Sequence, residues 1–324
     1  MSAADLRQLV NSYQVSQAVH VAAVLGLADL VAGGPRTSDD LAAATDTNAD
    51  ALYRLLRAVA SVGVFTESDG KRFELAELGR PLRSDVADSL ADWAAFVGRR
   101  YYRDAWSSLL DSVLTGENAF RLTHGVGVWE YRAEHPDEAA AFDRAMAANS
   151  RVIVGSLLAA YDFGRYGTIV DVGGGNGALL AALLEANPGS RGILFDQPHV
   201  VERVDLGERC DIVAGSFFES VPEGGDAYLL KWILHEWEDP EAIAILRTIR
   251  RRGAPVLIIE RDLGPPNEAP EAKLSDLNML VAPGGRERTV AEFALLLAAA
   301  GYELVADVPT ASGMHVLEGA PIPV

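Results

Sequence analysis

The chain predicts an α/β half built on a mostly parallel sheet, placed after a first half that is almost wholly helical. Three observations predict it. From residue 169 onward, short aliphatic runs alternate with helical stretches, the pattern of parallel strands joined by crossover helices. Before that point, apolar residues recur at helical spacing with one strand–turn–strand interruption. The last two strand-like runs are joined by a short loop alone, so they must pair antiparallel and end the sheet in a reversed hairpin.

In the first half, helical spacing over 6–31 stops at Gly33-Gly34-Pro35. A second helix starts at Ser38-Asp39-Asp40, and a third covers 49–62 and ends at Gly63. The runs 64–67 and 72–75 flank Ser68-Asp69-Gly70, a hairpin signal. Three helices and a hairpin make a winged-helix pattern. A DNA-reading face needs a basic cluster, yet residues 1–90 carry eight Lys and Arg against twelve Asp and Glu. Packing and dimerisation are therefore the expected use. Residues 92–161 continue as helix and are rich in aromatics, among them Trp93, Phe96, Tyr101, Tyr102 and Trp106. These serve a core, a dimer interface or an aromatic-substrate pocket; periodicity does not sort them. The expected domains are a winged-helix-like dimerisation domain at 1–100, a helical linker contributing to the substrate pocket at 101–160, and a catalytic domain at 161–324.

In the second half the strand candidates are 169–172, 191–196, 211–214, 227–232 and 255–260, with 302–309 and 314–318 forming the closing hairpin. Asp239-Pro240-Glu241 reads as a helix start with Asp239 as N-cap. Thr289 and Glu292 read as a capping box for a helix that stops at Gly301.

At 324 residues there is room for two domains. The net charge of −18 argues against nucleic acid and anionic membrane surfaces as partners. Cys210 is the single cysteine, which rules out an intrachain disulfide and fits a reducing compartment. No basic, apolar leader opens the chain and no apolar run approaches the ~18 residues of a membrane span. A cytoplasmic location is expected.

The chemistry is densest at Asp171-Val172-Gly173-Gly174-Gly175-Asn176-Gly177. Residues 169–172 suit a buried parallel strand, the glycines let the backbone turn and approach a ligand, and 178–185 opens a helix. Asp196 ends the next strand, about 20 residues on, where an acid reads ribose hydroxyls in dinucleotide folds. The glycines alone also satisfy a relaxed nicotinamide fingerprint; with Asp171 two residues before the first glycine, Asp-x-Gly-x-Gly resembles the S-adenosylmethionine loop of class I methyltransferases. If strands 169–172 and 227–232 are neighbours at a switch point, the glycine loop, His235 and Glu260 converge on one crevice. No cluster with metal-ligand spacing stands out, and no metal is expected. His20, His124, His135, His199 and His315 take a structural role by default, as lone histidines do.

With these motifs in view, the chain resembles small-molecule O-methyltransferases of the caffeate/hydroxyneurosporene type, close to bacterial natural-product tailoring enzymes. The resemblance covers nearly the full length and rests on DVGGGNG (171–177), LFDQPHVV (194–201), GSFFESVPEGGDAYLLKWILHEW (215–237) and GGRERT (284–289). It implies a Rossmann-like catalytic domain and a homodimer formed through the first domain. It also implies S-adenosyl-L-methionine held by Asp171, Gly173, Gly175, Gly177, Asp196, Gln197, Ser216, Phe217 and Lys231. His235 is implied as general base, oriented by Glu260 and Glu287, with Met146, Asn149, Trp232, Asn278 and Met279 near the substrate. Ser216 departs from the family, which has an acid there to accept from the adenine amino group; a serine accepts less strongly. The acceptor implied is a hydroxyl of a small aromatic secondary metabolite. A phenol, with a pKa of about 10, is a poor nucleophile until a base takes its proton. A tailoring hydroxylase or decarboxylase that keeps the cofactor site without methyl transfer is the alternative, and a regulatory winged-helix protein or an NAD-dependent oxidoreductase stands further off.

Overall fold

The computed structural model describes residues 2–323. By compactness the chain divides into two units, one of residues 1–103 with 135–152 and one of 104–134 with 153–324. The segment expected as a linker at 101–160 is thus shared between them.

The first unit has its own core, in which Leu41, Leu56, Val59, Phe65 and Phe73 are buried. The helical run 6–31 is three helices, Ala3–Val10, Ser12–Val24 and Leu27–Leu30. The last break falls at Gly26, whose φ of 62° leaves the helical region. The helices Ser38–Thr45 and Ala49–Ser61 start on Thr37 and Asn48, whose side chains accept from Asp40 and Ala51 N–H. The hairpin is present as β2 (Phe65–Ser68) and β3 (Arg72–Leu75), and a short β1 (Arg36–Thr37) pairs with β3. Two residues carry no alternation, so sequence pattern did not show β1.

The span 92–161, expected as continuing helix, is six helices, from Ala91–Val97 to Pro136–Ala160. Gly116 and Gly125, with φ of 78° and 77°, end two of them in left-handed caps.

The second unit is organised by seven strands: β4 (Thr168–Val172), β5 (Arg191–Asp196), β6 (Cys210–Ala214), β7 (Ala227–Lys231), β8 (Val256–Arg261), β9 (Tyr302–Pro309) and β10 (Met314–Pro321). Their order is β6-β5-β4-β7-β8-β10-β9, parallel through β8 and antiparallel in the closing hairpin. β4, β7 and β8 are buried along nearly their whole length, because helices cover both faces of a parallel sheet. Leu246, Ile249 and Phe293 pack one face, and Leu180, Leu183 and Leu157 the other. Winding reverses between β4 and β7, so the ends of these two strands open the crevice where such sheets bind ligands.

Thr289 and Glu292 make the predicted capping box. Asp239 does not cap its helix: Glu238 holds the N-cap position with no side-chain capping bond, and Asp239 is the first helical residue. Its carboxylate is engaged by Arg288 instead. Among the described residues no helix is long and apolar enough to cross a membrane.

Candidate active site

One side of the crevice is made of backbone. After β4 the chain passes through Gly173, Gly175 and Gly177 at φ of 72°, 61° and 78°, a region where a side chain is strained. A Cβ at Gly173 would meet Ile233 Cδ1 at 2.5 Å, and one at Gly177 would meet Leu206 Cδ1 at 2.5 Å. Nothing lies within 4 Å of one at Gly175, so the loop's open face is there. Gly173 N–H donates to Phe195 O at 2.7 Å, tying the loop to β5. At the end of β5, Asp196 accepts Gly175 N–H at 2.8 Å on Oδ2 and Gln197 N–H at 2.6 Å on Oδ1. Burial pushes the Asp196 carboxyl up, and these two backbone bonds oppose it.

Beneath the loop Asp171 is buried, and its Oδ2 has no hydrogen-bond partner among the described residues. Burial pushes its carboxyl up to about 7, while the Lys231 ammonium at the end of β7 pulls the other way. The same burial pushes Lys231 down to about 8, opposed by Asp171 and Glu260. Lys231 Nζ lies 4.1 Å from the centroid of the Trp232 ring. Ser216 Oγ accepts Phe218 N–H at 3.3 Å, and Phe217 packs edge-on against Phe218 and Trp237.

The facing side is made of buried charge. Trp232 turns the chain at a φ of 56°, and the short 3-10 turn Leu234–Glu236 carries His235. Glu260, on β8 and fully buried, accepts N–H groups of Ile233, Leu234 and His235 on Oε1 at 3.0, 3.0 and 3.4 Å. It therefore holds the turn chiefly through backbone, with Oε2 at 3.4 Å from His235 Nδ1. The ring itself is bonded to Glu287, Nδ1 to Oε1 at 3.0 Å. An ionised carboxylate only accepts, so Nδ1 carries the hydrogen and Nε2 keeps its lone pair in the neutral ring.

Glu287 reaches this place because the GGRERT segment runs beside the end of β8. Leu263 N–H donates to Arg288 O at 3.0 Å, and Val290 N–H to Asp262 Oδ1 at 3.1 Å. A Cβ at Gly285 would stand 2.2 Å from His235 O and 2.3 Å from Trp237 N, so only glycine lets the segment lie against the turn. Arg288, 1% exposed, donates to Leu234 O at 2.9 Å, to Trp237 O at 2.8 Å and to Asp239 Oδ1 at 2.8 and 3.0 Å. Sequence reasoning missed Arg288, along with Ser275, whose hydroxyl donates to Glu287 Oε1 at 2.6 Å, and Asp276, which accepts Glu287 N–H. Ser275 and Asp276 carry no local signal; Arg288 had only its place inside a quoted motif.

Burial alone would lower the His235 pKa, but the Glu260 and Glu287 carboxylates outweigh it and raise it to about 9. Burial pushes Glu260 up to about 7 against the pull of His235, and Glu236 likewise up to about 7. Glu287 is held below the usual carboxylate range because the His235 charge and hydrogen bond outweigh its own burial. The three side chains His235, Glu260 and Glu287 bring ligand-type atoms within 4.8 Å of one another, a cluster that sequence spacing could not show. A buried histidine held by two carboxylates at the crevice that the glycine loop also lines is an arrangement suited to taking a proton as another bond forms.

Of the residues expected near the substrate, Trp232 and Asn278 are partly buried and Met279 is 6% exposed. Met146 and Asn149 belong to the first unit, on the helix Pro136–Ala160, and are partly buried there.

Residues 106–303 match the family model of the O-methyltransferase domain, and residues 7–85 that of the O-methyltransferase dimerisation domain. A phenazine O-methyltransferase of Lysobacter antibioticus is 42% identical, over 98% of this chain and 96% of that one. The mitomycin biosynthesis 6-O-methyltransferase of Streptomyces lavendulae is 39% identical, over 92% and 88%. Among solved structures, human N-acetylserotonin methyltransferase in complex with S-adenosylmethionine superposes with a TM-score of 0.92 at 28% identity, covering 100% of this chain and 99% of that one.

Proposed function

The chain belongs to the O-methyltransferase family, and from that premise we propose that it methylates a hydroxyl of a small aromatic secondary metabolite with His235 as general base. The methyl donor is S-adenosyl-L-methionine. Its sulfonium supplies a methyl group to an in-line nucleophile, and everything else is the work of the chain's own residues. The glycine loop fits the donor: three left-handed glycines, an open face at Gly175 and the Asp196 carboxylate at the strand end. Asp171, Gln197, Ser216, Phe217 and Lys231 complete the proposed cofactor set.

The observation that carries the base assignment is the His235 Nδ1–Glu287 Oε1 bond at 3.0 Å. It leaves Nε2 as the basic nitrogen of the neutral ring, and the carboxylate stabilises the imidazolium that forms. The His235 pKa of about 9 narrows the gap to a phenol, whose pKa is about 10, from the roughly 3.5 units that a free imidazole would leave. Proton transfer to the ring is then close to balanced. Glu260 and Glu287 act on His235 and do not themselves touch the acceptor. Trp232, Asn278 and Met279 are proposed to face the substrate.

A homodimer through residues 7–85 goes with the matching dimerisation model. Leu6, Leu9 and Val10, 62–66% exposed, share one face of the helix Ala3–Val10 at i, i+3 and i+4, an apolar stripe fit for a second copy.

The test is an acceptor screen. The chain is incubated with S-adenosylmethionine and a panel of hydroxylated phenazines, quinones and naphthoates, and S-adenosylhomocysteine release is followed. Methyl ether products support the proposal. Cofactor binding without any methylated product across the panel would favour the hydroxylase or decarboxylase alternative.

A further inference from the structure

We propose that His235, Glu260 and Glu287 also form a site for a divalent metal ion of the zinc class, and that an ion bound there withdraws His235 from proton transfer. Glu260 Oε2 and Glu287 Oε2 are both buried and have no hydrogen-bond partner among the described residues. Glu260 Oε2 lies 3.4 Å from His235 Nδ1, and one donor atom from each of the three residues falls within 4.8 Å of the others. One imidazole nitrogen and two carboxylate oxygens are a donor set that zinc accepts. A small closing movement brings them to the roughly 2.0–2.2 Å that zinc takes from such ligands.

The consequence for catalysis follows from which nitrogen the ion takes. A metal on Nδ1 uses the lone pair there, so the ring's one remaining hydrogen sits on Nε2. Starting from imidazolium, one proton leaves to solvent as the metal–nitrogen bond forms. Nε2 is then a donor and cannot accept a proton from a hydroxyl. Inhibition rests on the base assignment; the binding site does not.

The experiment titrates zinc into the purified full chain, with calorimetry reading binding and S-adenosylhomocysteine release reading turnover. We expect one ion per chain, turnover that falls with occupancy, and recovery on adding EDTA. Glu260→Gln weakens zinc at least tenfold while still binding S-adenosylhomocysteine, which checks its fold. His315→Ala, which removes the His315–Asp307 pair on the closing hairpin, leaves zinc binding unchanged. Cobalt in place of zinc gives the visible absorption of a nitrogen–oxygen site of low coordination number and needs no variant. Absence of zinc binding at micromolar concentration, or binding lost in His315→Ala and kept in Glu260→Gln, overturns the site. Full turnover at zinc saturation overturns the switch. A His235→Ala chain with undiminished turnover removes the base assignment and leaves the binding result standing.

Discussion

The two sides of the crevice are built from different materials. At the glycine loop, position is set by backbone: left-handed glycines, N–H groups and one carboxylate at a strand end. On the facing side it is set by buried charged side chains drawn from three separate stretches of chain, 234–236, 260 and 287–288. The first kind of site is local and holds with few partners. The second depends on several desolvated groups satisfying one another at once, and such networks lose much when a single member goes. It also gives what backbone cannot, a pKa moved far from its ordinary value.

That contrast can be broken from either side. The largest effect is expected for His235→Ala, a loss of turnover of about 100- to 10,000-fold with cofactor affinity nearly unchanged by calorimetry. Equal losses in both would mean that the two sides are not separable. Asp196→Ala is the mirror experiment. It removes the acceptor for Gly175 N–H as well as the proposed ribose contact, and should weaken cofactor binding by roughly 10- to 100-fold; unchanged affinity refutes the ribose assignment. Arg288→Met strips two buried carbonyls, Leu234 O and Trp237 O, of their donor. A stability loss of about 2–4 kcal/mol should appear in denaturant melts, together with slower turnover, whereas Arg288→Lys restores part of both.

Two further predictions sharpen the comparison. If His235 is the base, the active form carries the neutral ring, and two carboxylates raise its pKa above the ordinary 6.5, to about 9. Turnover at saturating substrate should therefore climb as pH rises from 7 toward 9 and flatten above it, because only the deprotonated ring accepts. Glu287→Gln removes one of the two charges, so the rising limb should move down toward 6.5 while its plateau falls about tenfold. A limb that stays in place would show that Glu287 does not set the base's strength. The smallest effect is expected for Ser216→Asp, a few-fold tighter cofactor binding if an added carboxylate reaches the adenine.

How much of this was legible in advance follows the same division. DVGGGNG, Asp196 and the capping box at Thr289 are read within a few residues, and the structure places the loop, the strand end and the helix cap where local chemistry put them. Helix breaks were less legible. Gly26, Gly116 and Gly125 end helices by left-handed turns, but a glycine inside an apolar run reads equally as tolerated. Asp239 looked like an N-cap because its neighbours suit one; a buried guanidinium some 50 positions away claims its carboxylate instead.

By itself the sequence determined the alternation of strands and helices, the reversed hairpin and the glycine loop, because each depends on period, turn chemistry or loop length over short spans. It also marked His235 and Glu287 through motifs and Glu260 through its place at a strand end, without saying which atoms meet. Only the tertiary structure decided that Glu260 holds the turn by its backbone, that Glu287 grips the ring, and that Arg288 ties the two together. The physical reason is desolvation. A carboxylate or guanidinium taken out of water must find its partners wherever the fold brings them, and those partners lie far along the chain, beyond the reach of any local pattern.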